Sequence, residues 1–198
     1  STEPQGLTAA WPALRDRQIS TGMWITTLAG LGFGVLDVLA PLRLNSLGAT
    51  ALVIGGTFLG ASALEVALSP VVGRLSDRRG ALTPIQLSLA VAVVLTVLAP
   101  LLTPAALLVA LLIVGMPAFG TLYTPAAALL SAGADSLQLN QGLAFGLSNL
   151  AWATGQGVGS AASGVLAQAT SDVLPYTLLA GACLVTLAVL RSRVRAAA

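Results

Sequence analysis

Charge is scarce in this chain: 8% of its 198 residues are Asp, Glu, Lys or Arg, against about 25% in an average soluble domain. A globule of this length needs far more polar surface to cover its core, so soluble folds are excluded. Disorder is excluded as well, because it requires low hydrophobicity, and 56% of these residues are hydrophobic. Histidine is absent. Without it, neither a Ser/His catalytic pair nor a His-ligated zinc or haem can be built from this chain. No metal, cofactor or nucleic-acid partner is expected, and the protein is not expected to be an enzyme. Lysine is absent too; all-Arg basic usage with heavy Ala, Leu and Gly points to a GC-rich bacterial genome. Cys183 is the lone cysteine, cannot form an internal disulfide, and lies in an apolar run that suits a small buried residue. The stretch from Ser1 to Arg17 is polar and lacks a signal-peptide pattern, and the chain is expected to be a fragment or one half of something longer.

What the chain has in abundance is long apolar runs. Crossing about 30 Å of hydrocarbon takes about 20 mostly apolar residues in a helix. Six windows qualify: about Ser20–Leu42, Thr50–Val72, Leu82–Leu102, Pro104–Leu130, Gln141–Ala167 and Leu174–Leu190. The breaks between them carry turn and polar residues, as in Asn45-Ser46-Leu47-Gly48 and Gly133 to Asn140. Six crossings place both ends on one side. Arg15, Arg17, Arg74, Arg78, Arg79, Arg191, Arg193 and Arg195 then share a face, and Arg43 alone takes the other. That asymmetry puts the termini and the Arg74–Arg79 segment in the cytoplasm.

Lipid tails give helices no hydrophobic reason to associate, so packing faces are marked by small and polar residues. The third and sixth windows are almost purely aliphatic and are expected to meet lipid broadly. The second carries Gly56-x3-Gly60, and the fifth carries Gly142-x3-Gly146 and Gly155-x3-Gly159; these are expected helix contacts. The first is interrupted by Gly30, Gly32 and Gly34 and ends at Pro41, and the fourth contains Pro117, Gly120 and Pro125, marks of bent or cavity-lining helices. A Gly/Pro-broken helix, a small-residue helix and a greasy helix thus occur twice. A shift of 91 positions aligns Gly55 with Gly146, Ser69 with Ser160, Gly73 with Gly164 and Leu75 with Leu166, and sets Glu65 against Gln156. The expected fold is an all-α membrane protein of six transmembrane helices arranged as two three-helix repeats.

Two carboxylates fall inside these windows. Asp37 shares a helical face with Thr26, Gly30, Phe33 and Pro41, and Glu65 with Phe58, Ser62 and Ser69. An ionised acid at the centre of a span costs about 2.5–3.5 kcal/mol on insertion scales, so such residues face protein or water. Both are candidate proton-coupling sites, or else hydrogen-bonded packing residues. The fifth window aligns Gln141, Phe145, Asn149, Trp152 and Gln156, and the fourth sets Met116, Phe119 and Tyr123 at helical spacing. Such stripes suit either interhelical packing or a cavity for an amphipathic solute. The candidate cavity residues are Phe33, Met116, Phe119, Tyr123, Asn149, Trp152 and Gln156.

The segment from Ser69 to Gly80 reads Gly73-x3-Asp77-Arg78-x-Gly80 after a helix end. Locally this is a charged hairpin loop whose glycines permit a tight turn, with Asp77 free to cap a helix start or pair with Arg. It resembles the loop signature G-x3-D-[RK]-x-G-x-[RK]-[RK] of the major facilitator superfamily, matching at Gly73, Asp77, Arg78 and Gly80. The basic residues after the last glycine are replaced by Ala81, Leu82 and Thr83. Pro41-x-x-Leu44-x-x-x-Gly48 and the Gly155–Gly164 stretch are similar to other stretches of that family. The resemblance spans Ser20 to Arg195 and implies the C-terminal half of a transporter, with residues 1–19 as a remnant of the central cytoplasmic linker and 20–198 as a six-helix bundle. It further implies an N-terminal six-helix half as partner, a small-molecule substrate, and alternating access with the Gly73–Gly80 segment as gating element. Proton-coupled efflux of a drug or metabolite is expected, with metabolite uptake or a self-contained six-span dimeric channel or scaffold as alternatives.

Overall fold

A computed structural model describes residues 14–197, with side chains to residue 193. Most of the expected linker, residues 1–13, therefore lies outside the described residues. Among the described residues the secondary structure is all helical. It comprises α1 (Arg17–Ser46), α2 (Ala51–Arg79), α3 (Leu82–Leu98), α4 (Ala105–Gly115), α5 (Pro117–Gly120), α6 (Tyr123–Ser136), α7 (Gln141–Ala169) and α8 (Val173–Ala197). Helices α4, α5 and α6 follow one another as a single interrupted rod. Short connections at 47–50, 80–81, 99–104, 137–140 and 170–172 turn each rod back on the last.

Four rods are long and apolar enough to cross a membrane: Arg17–Ser46, Ala51–Arg79, Ala105–Ser136 and Val173–Arg193. Leu82–Leu98 is apolar but only 17 residues long. Helix α7 has the length, at 29 residues, but Gln141, Ser148, Asn149, Gln156, Ser160 and Ser163 dilute its hydropathy.

Helix starts follow the local sequence. Asp16 caps α1 by accepting hydrogen bonds from the N–H groups of Gln18 (2.8 Å) and Ile19 (3.0 Å). Asn140 caps α7 through the Gly142 N–H at 2.8 Å. The expected turn at Asn45–Gly48 is present: Gly48 adopts φ 83°, and the Ala49 N–H reaches back to the Leu44 carbonyl at 3.0 Å.

Two helix ends differ from expectation. Helix α1 runs unbroken through Gly30, Gly32, Gly34 and Pro41, because its glycines are contact points and not hinges. Helix α2 continues through Gly73, Arg74, Asp77 and Arg78 to Arg79. The expected charged loop is thus the last turns of a helix, and only Gly80 turns the chain, at φ 79°. Asp77 consequently caps no helix start.

Helix α1 packs mainly on α7 and α6, α2 on the α4–α6 rod, and α3 on α8. The first helix of each triplet thus meets the second helix of the other, and the third helices meet each other, so exchanging the triplets maps this set of pairs onto itself. The α1–α7 seam is the tightest. An added side chain at Gly30 would strike the backbone of Trp152, at Gly34 that of Gln156, at Gly155 that of Thr27, and at Gly159 that of Leu31. Two Gly-x3-Gly stripes face each other there, and backbone touches backbone. The other expected small-residue contacts do not form this way: Gly56 and Gly146 face open space, and Gly60 makes an ordinary contact with Ile113. Helix α2 buries only Thr57 and Ala61. It is less covered than the aliphatic α3 and α8, which bury one face each against one another.

The core runs through Leu28, Leu36 and Leu39 of α1, Ile85, Leu89 and Leu95 of α3, Leu108 and Leu112 of α4, and Tyr176, Leu179 and Cys183 of α8. Arg43 closes one end of the bundle. Its Nη2 donates to the carbonyls of Pro100 (3.0 Å) and Leu102 (3.4 Å), and its Nη1 pairs with Asp172 at 3.5 Å. One guanidinium therefore joins the end of α1 to the α3–α4 and α7–α8 connections.

Candidate functional site

The fourth rod is interrupted where its sequence predicts. Pro117 and Pro125 each lack the N–H that an α-helix needs and press on the preceding turn. Between them i→i−3 bonds from the Phe119 N–H to Met116 O (3.0 Å) and from the Leu122 N–H to Phe119 O (3.3 Å) alternate with an i→i−4 bond from the Thr121 N–H to Pro117 O (2.8 Å). Ser88 and Thr121 share a buried hydroxyl–hydroxyl bond of 3.0 Å beside the break.

This interruption positions the site. Gly120 lies within it, and the Glu65 carboxylate of α2 rests against its Cα; any side chain at 120 would collide with that carboxylate. A cleft of about 400 Å³ opens here, lined by Glu65, Ser69, Gly120, Tyr123, Thr124, Asn149 and Trp152. Of the expected cavity residues, the structure brings Tyr123, Asn149 and Trp152 to this cleft together with Glu65. Phe33 of α1 packs on Trp152 with ring centroids 5.3 Å apart, and Tyr123 meets the same indole edge-on at 5.8 Å and 87°. Gln156, one helical turn beyond Trp152, points its Nε2 at Asp37 Oδ2 at 3.5 Å.

Two expected cavity residues lie elsewhere. Met116 is 3% exposed and Phe119 is fully buried. Phe119 turns into the core and lies on Gly32, where any side chain would meet its ring. Helical spacing alone grouped them with Tyr123, but at 116 and 119 that face is covered by core packing, Phe119 lying against α1. Thr124 and Gly120 are cleft residues that the aromatic stripe did not single out; their separation of one helical turn from each other was the available signal.

The carboxylates differ in surroundings. Asp37 is exposed and accepts from Gln156. Glu65 is half-buried, and among the described residues no hydrogen bond or ion pair reaches its carboxylate. Its own backbone carbonyl accepts from the Ser69 hydroxyl at 2.9 Å. Among the described residues, no three His, Cys, Asp or Glu side chains gather in a way that could hold a metal ion. The segment Gly73, Asp77, Arg78 and Gly80 lies at the far end of α2, with Asp77 and Arg78 exposed. Arg78 and Arg79 sit in the last turn, where cations complement the helix dipole.

The chain matches the family profile described as the Major Facilitator Superfamily over residues 1–140. No curated protein matches it. The profile covers more than half of the 198 residues, including α1 through α6 and with them the interrupted rod, Glu65 and the Gly73–Gly80 segment. The chain belongs to the major facilitator superfamily and is a multi-pass membrane transporter.

Proposed function

We propose that the protein is a secondary active transporter that moves a small organic solute or drug by alternating access, as a proton-coupled efflux antiporter of a bacterial cytoplasmic membrane. All six rods are assigned as crossings, α3 and α7 included, with both ends and the Arg74–Arg79 segment in the cytoplasm. Segregation of the arginines supports this orientation, since only Arg43 falls at the opposite end. Residues 1–19 are the linker remnant and residues 20–198 the half that follows it. The protein acts as a carrier and performs no covalent chemistry.

The observation that carries the proposal is the polar cleft beside the interrupted rod. Glu65 lies near the middle of α2, at a depth where a carboxylate requires water, a partner or a solute. Helices α2 and α7 leave Leu52, Leu59 and Val66, and Phe145 and Leu150, uncovered. An N-terminal six-helix half seated on those faces would close the cleft into a central cavity. Asp37 and Glu65 are assigned as protonatable groups. Phe33, Tyr123, Asn149, Trp152 and Gln156 are assigned to the cavity wall, and Met116 and Phe119 to the support of the bend. Gly73, Asp77, Arg78 and Gly80 are assigned to gating, through contacts with the partner half.

Flux of candidate solutes into vesicles, with and without an imposed pH gradient, tests the proposal. The gradient is expected to drive transport in the wild type and to lose its effect in Asp37→Asn or Glu65→Gln. Unchanged coupling in both variants would remove the proton role. Solute moving in the direction of the proton would make the protein an uptake system. A symmetric dimer without gradient-driven flux would favour a channel or scaffold.

A further inference from the structure

The cleft holds one charge, and its sign is negative. Glu65 supplies it, and no cation answers it among the described residues. Arg43 is engaged with Asp172 and two carbonyls at one end of the bundle. Arg74 lies nine residues along α2, about 13 Å away at 1.5 Å per residue. The other wall residues are neutral: Ser69, Thr124 and Asn149 offer hydrogen bonds, and Tyr123 and Trp152 offer aromatic surface. Trp152 is held between Phe33 and Tyr123 by ring contacts of 5.3 and 5.8 Å.

A half-buried carboxylate that no hydrogen bond or ion pair reaches is costly unless water or a cation meets it. Aromatic rings lining the same cleft favour the same sign, because the face of a ring presents negative potential to a cation, most strongly in Trp. An anionic solute meets no basic side chain among the described lining residues and is repelled by Glu65. Gly120 completes the arrangement by leaving space for the carboxylate at the break of the rod.

We infer that the substrates of this cleft are organic monocations with an aromatic or apolar body, with Glu65 as counter-ion and the Tyr123–Trp152 pair as the surface that receives the body. This inference rests on the cleft being the solute site, and it adds the charge class. Glu65 is then the specificity-determining residue, and a cation and a proton compete for one carboxylate.

Charged probes of matched shape decide the matter in the reconstituted full-length protein. Cys183 is fully buried and is the lone cysteine of this chain, so Thr124→Cys, with Cys183 and any cysteine of the N-terminal half changed to Ser, places one reporter thiol in the cleft. Its labelling by a cationic trimethylammonium-ethyl and an anionic sulfonatoethyl methanethiosulfonate is followed with and without tetraphenylphosphonium or tetraphenylborate. The phosphonium is expected to protect the thiol and the borate to leave it reactive. Adding Glu65→Gln is expected to weaken protection at least ten-fold, with Glu65→Asp retaining part of it. Gly120→Ala, which keeps the carboxylate but displaces it, is expected to weaken protection as well. Helix content and monodispersity report that each variant folds. Equal protection by both ions, or phosphonium protection unchanged in Glu65→Gln and Gly120→Ala, overturns the charge assignment while leaving the cleft in place. A thiol at 124 that reacts with neither reagent overturns the cleft itself, and the proposed solute site with it.

Discussion

Two glycines on α7, two residues apart, should respond unequally to the same substitution. At Gly155 an added Cβ would collide with the Thr27 carbonyl oxygen and lie 3.0 Å from the Leu31 amide nitrogen; at Gly157 it would meet nothing within 4 Å. Backbone atoms cannot rotate aside as a side chain can, so Gly155→Ala must push α1 and α7 apart along the Gly30–Gly34 seam. Overpacking of this kind costs about 1–3 kcal/mol. Alanine also raises helix propensity, by about 0.8–1 kcal/mol over glycine. That gain is common to both positions and cancels in the comparison. Gly157→Ala should therefore be neutral to mildly stabilising, and Gly155→Ala should be less stable than it by about 1–3 kcal/mol, roughly 5- to 150-fold in the folding constant. Reversible unfolding of both variants in bicelles by denaturing detergent, followed by circular dichroism and tryptophan fluorescence, measures the difference. A gap below about 0.5 kcal/mol, the usual scale of a surface substitution, would refute the backbone-contact account of the α1–α7 seam.

Arg43→Gln should destabilise the bundle by about 1–3 kcal/mol, since it removes charge-assisted bonds to the Pro100 and Leu102 carbonyls as well as the pair with Asp172. Asp172→Asn should cost less than about 1 kcal/mol, because that pair is partly solvent-exposed; equal losses in the same unfolding assay would show that the ion pair carries the contact. Asp77→Asn should lower transport while leaving insertion and stability intact, because Asp77 is exposed at the end of α2. Wild-type flux in that variant would refute its gating role.

The helical rods were legible in the sequence because their signals are local. Asn140 and Gly48 mark ends through hydrogen bonds within a few residues of themselves, and so does Asp16, although the first apolar window starts only at about Ser20. Pro117 and Pro125 mark the interrupted rod for the same reason. The end of α2 was harder to place. A run of Gly, Arg, Ser and Asp reads equally as loop or exposed helix, and only Gly80 has a conformation that forces the turn. The site was legible in part. Glu65 stood out as an acid in an apolar run, and Tyr123, Asn149 and Trp152 by their spacing. Met116 and Phe119 share that spacing and lie in the core, because neighbouring helices cover the face at those positions, and periodicity does not record which helix packs where.

Composition and order alone determined that this chain belongs in a membrane, as antiparallel helices with arginine gathered at one end. Those properties follow from transfer of each residue between water and hydrocarbon, a sum that needs no knowledge of neighbours. Which glycines are contacts, and which acid stands alone, depended on distances between residues far apart in the chain. Gly56-x3-Gly60 and Gly155-x3-Gly159 look alike as strings, yet Gly56 faces open space while Gly155 and Gly159 lie on the backbone of α1. Asp37 and Glu65 are both acids within apolar helices, yet Gln156 reaches the first and Gly120 leaves room for the second. Packing decides such differences because contact energies are short-ranged, and only the folded chain settles which atoms come within that range.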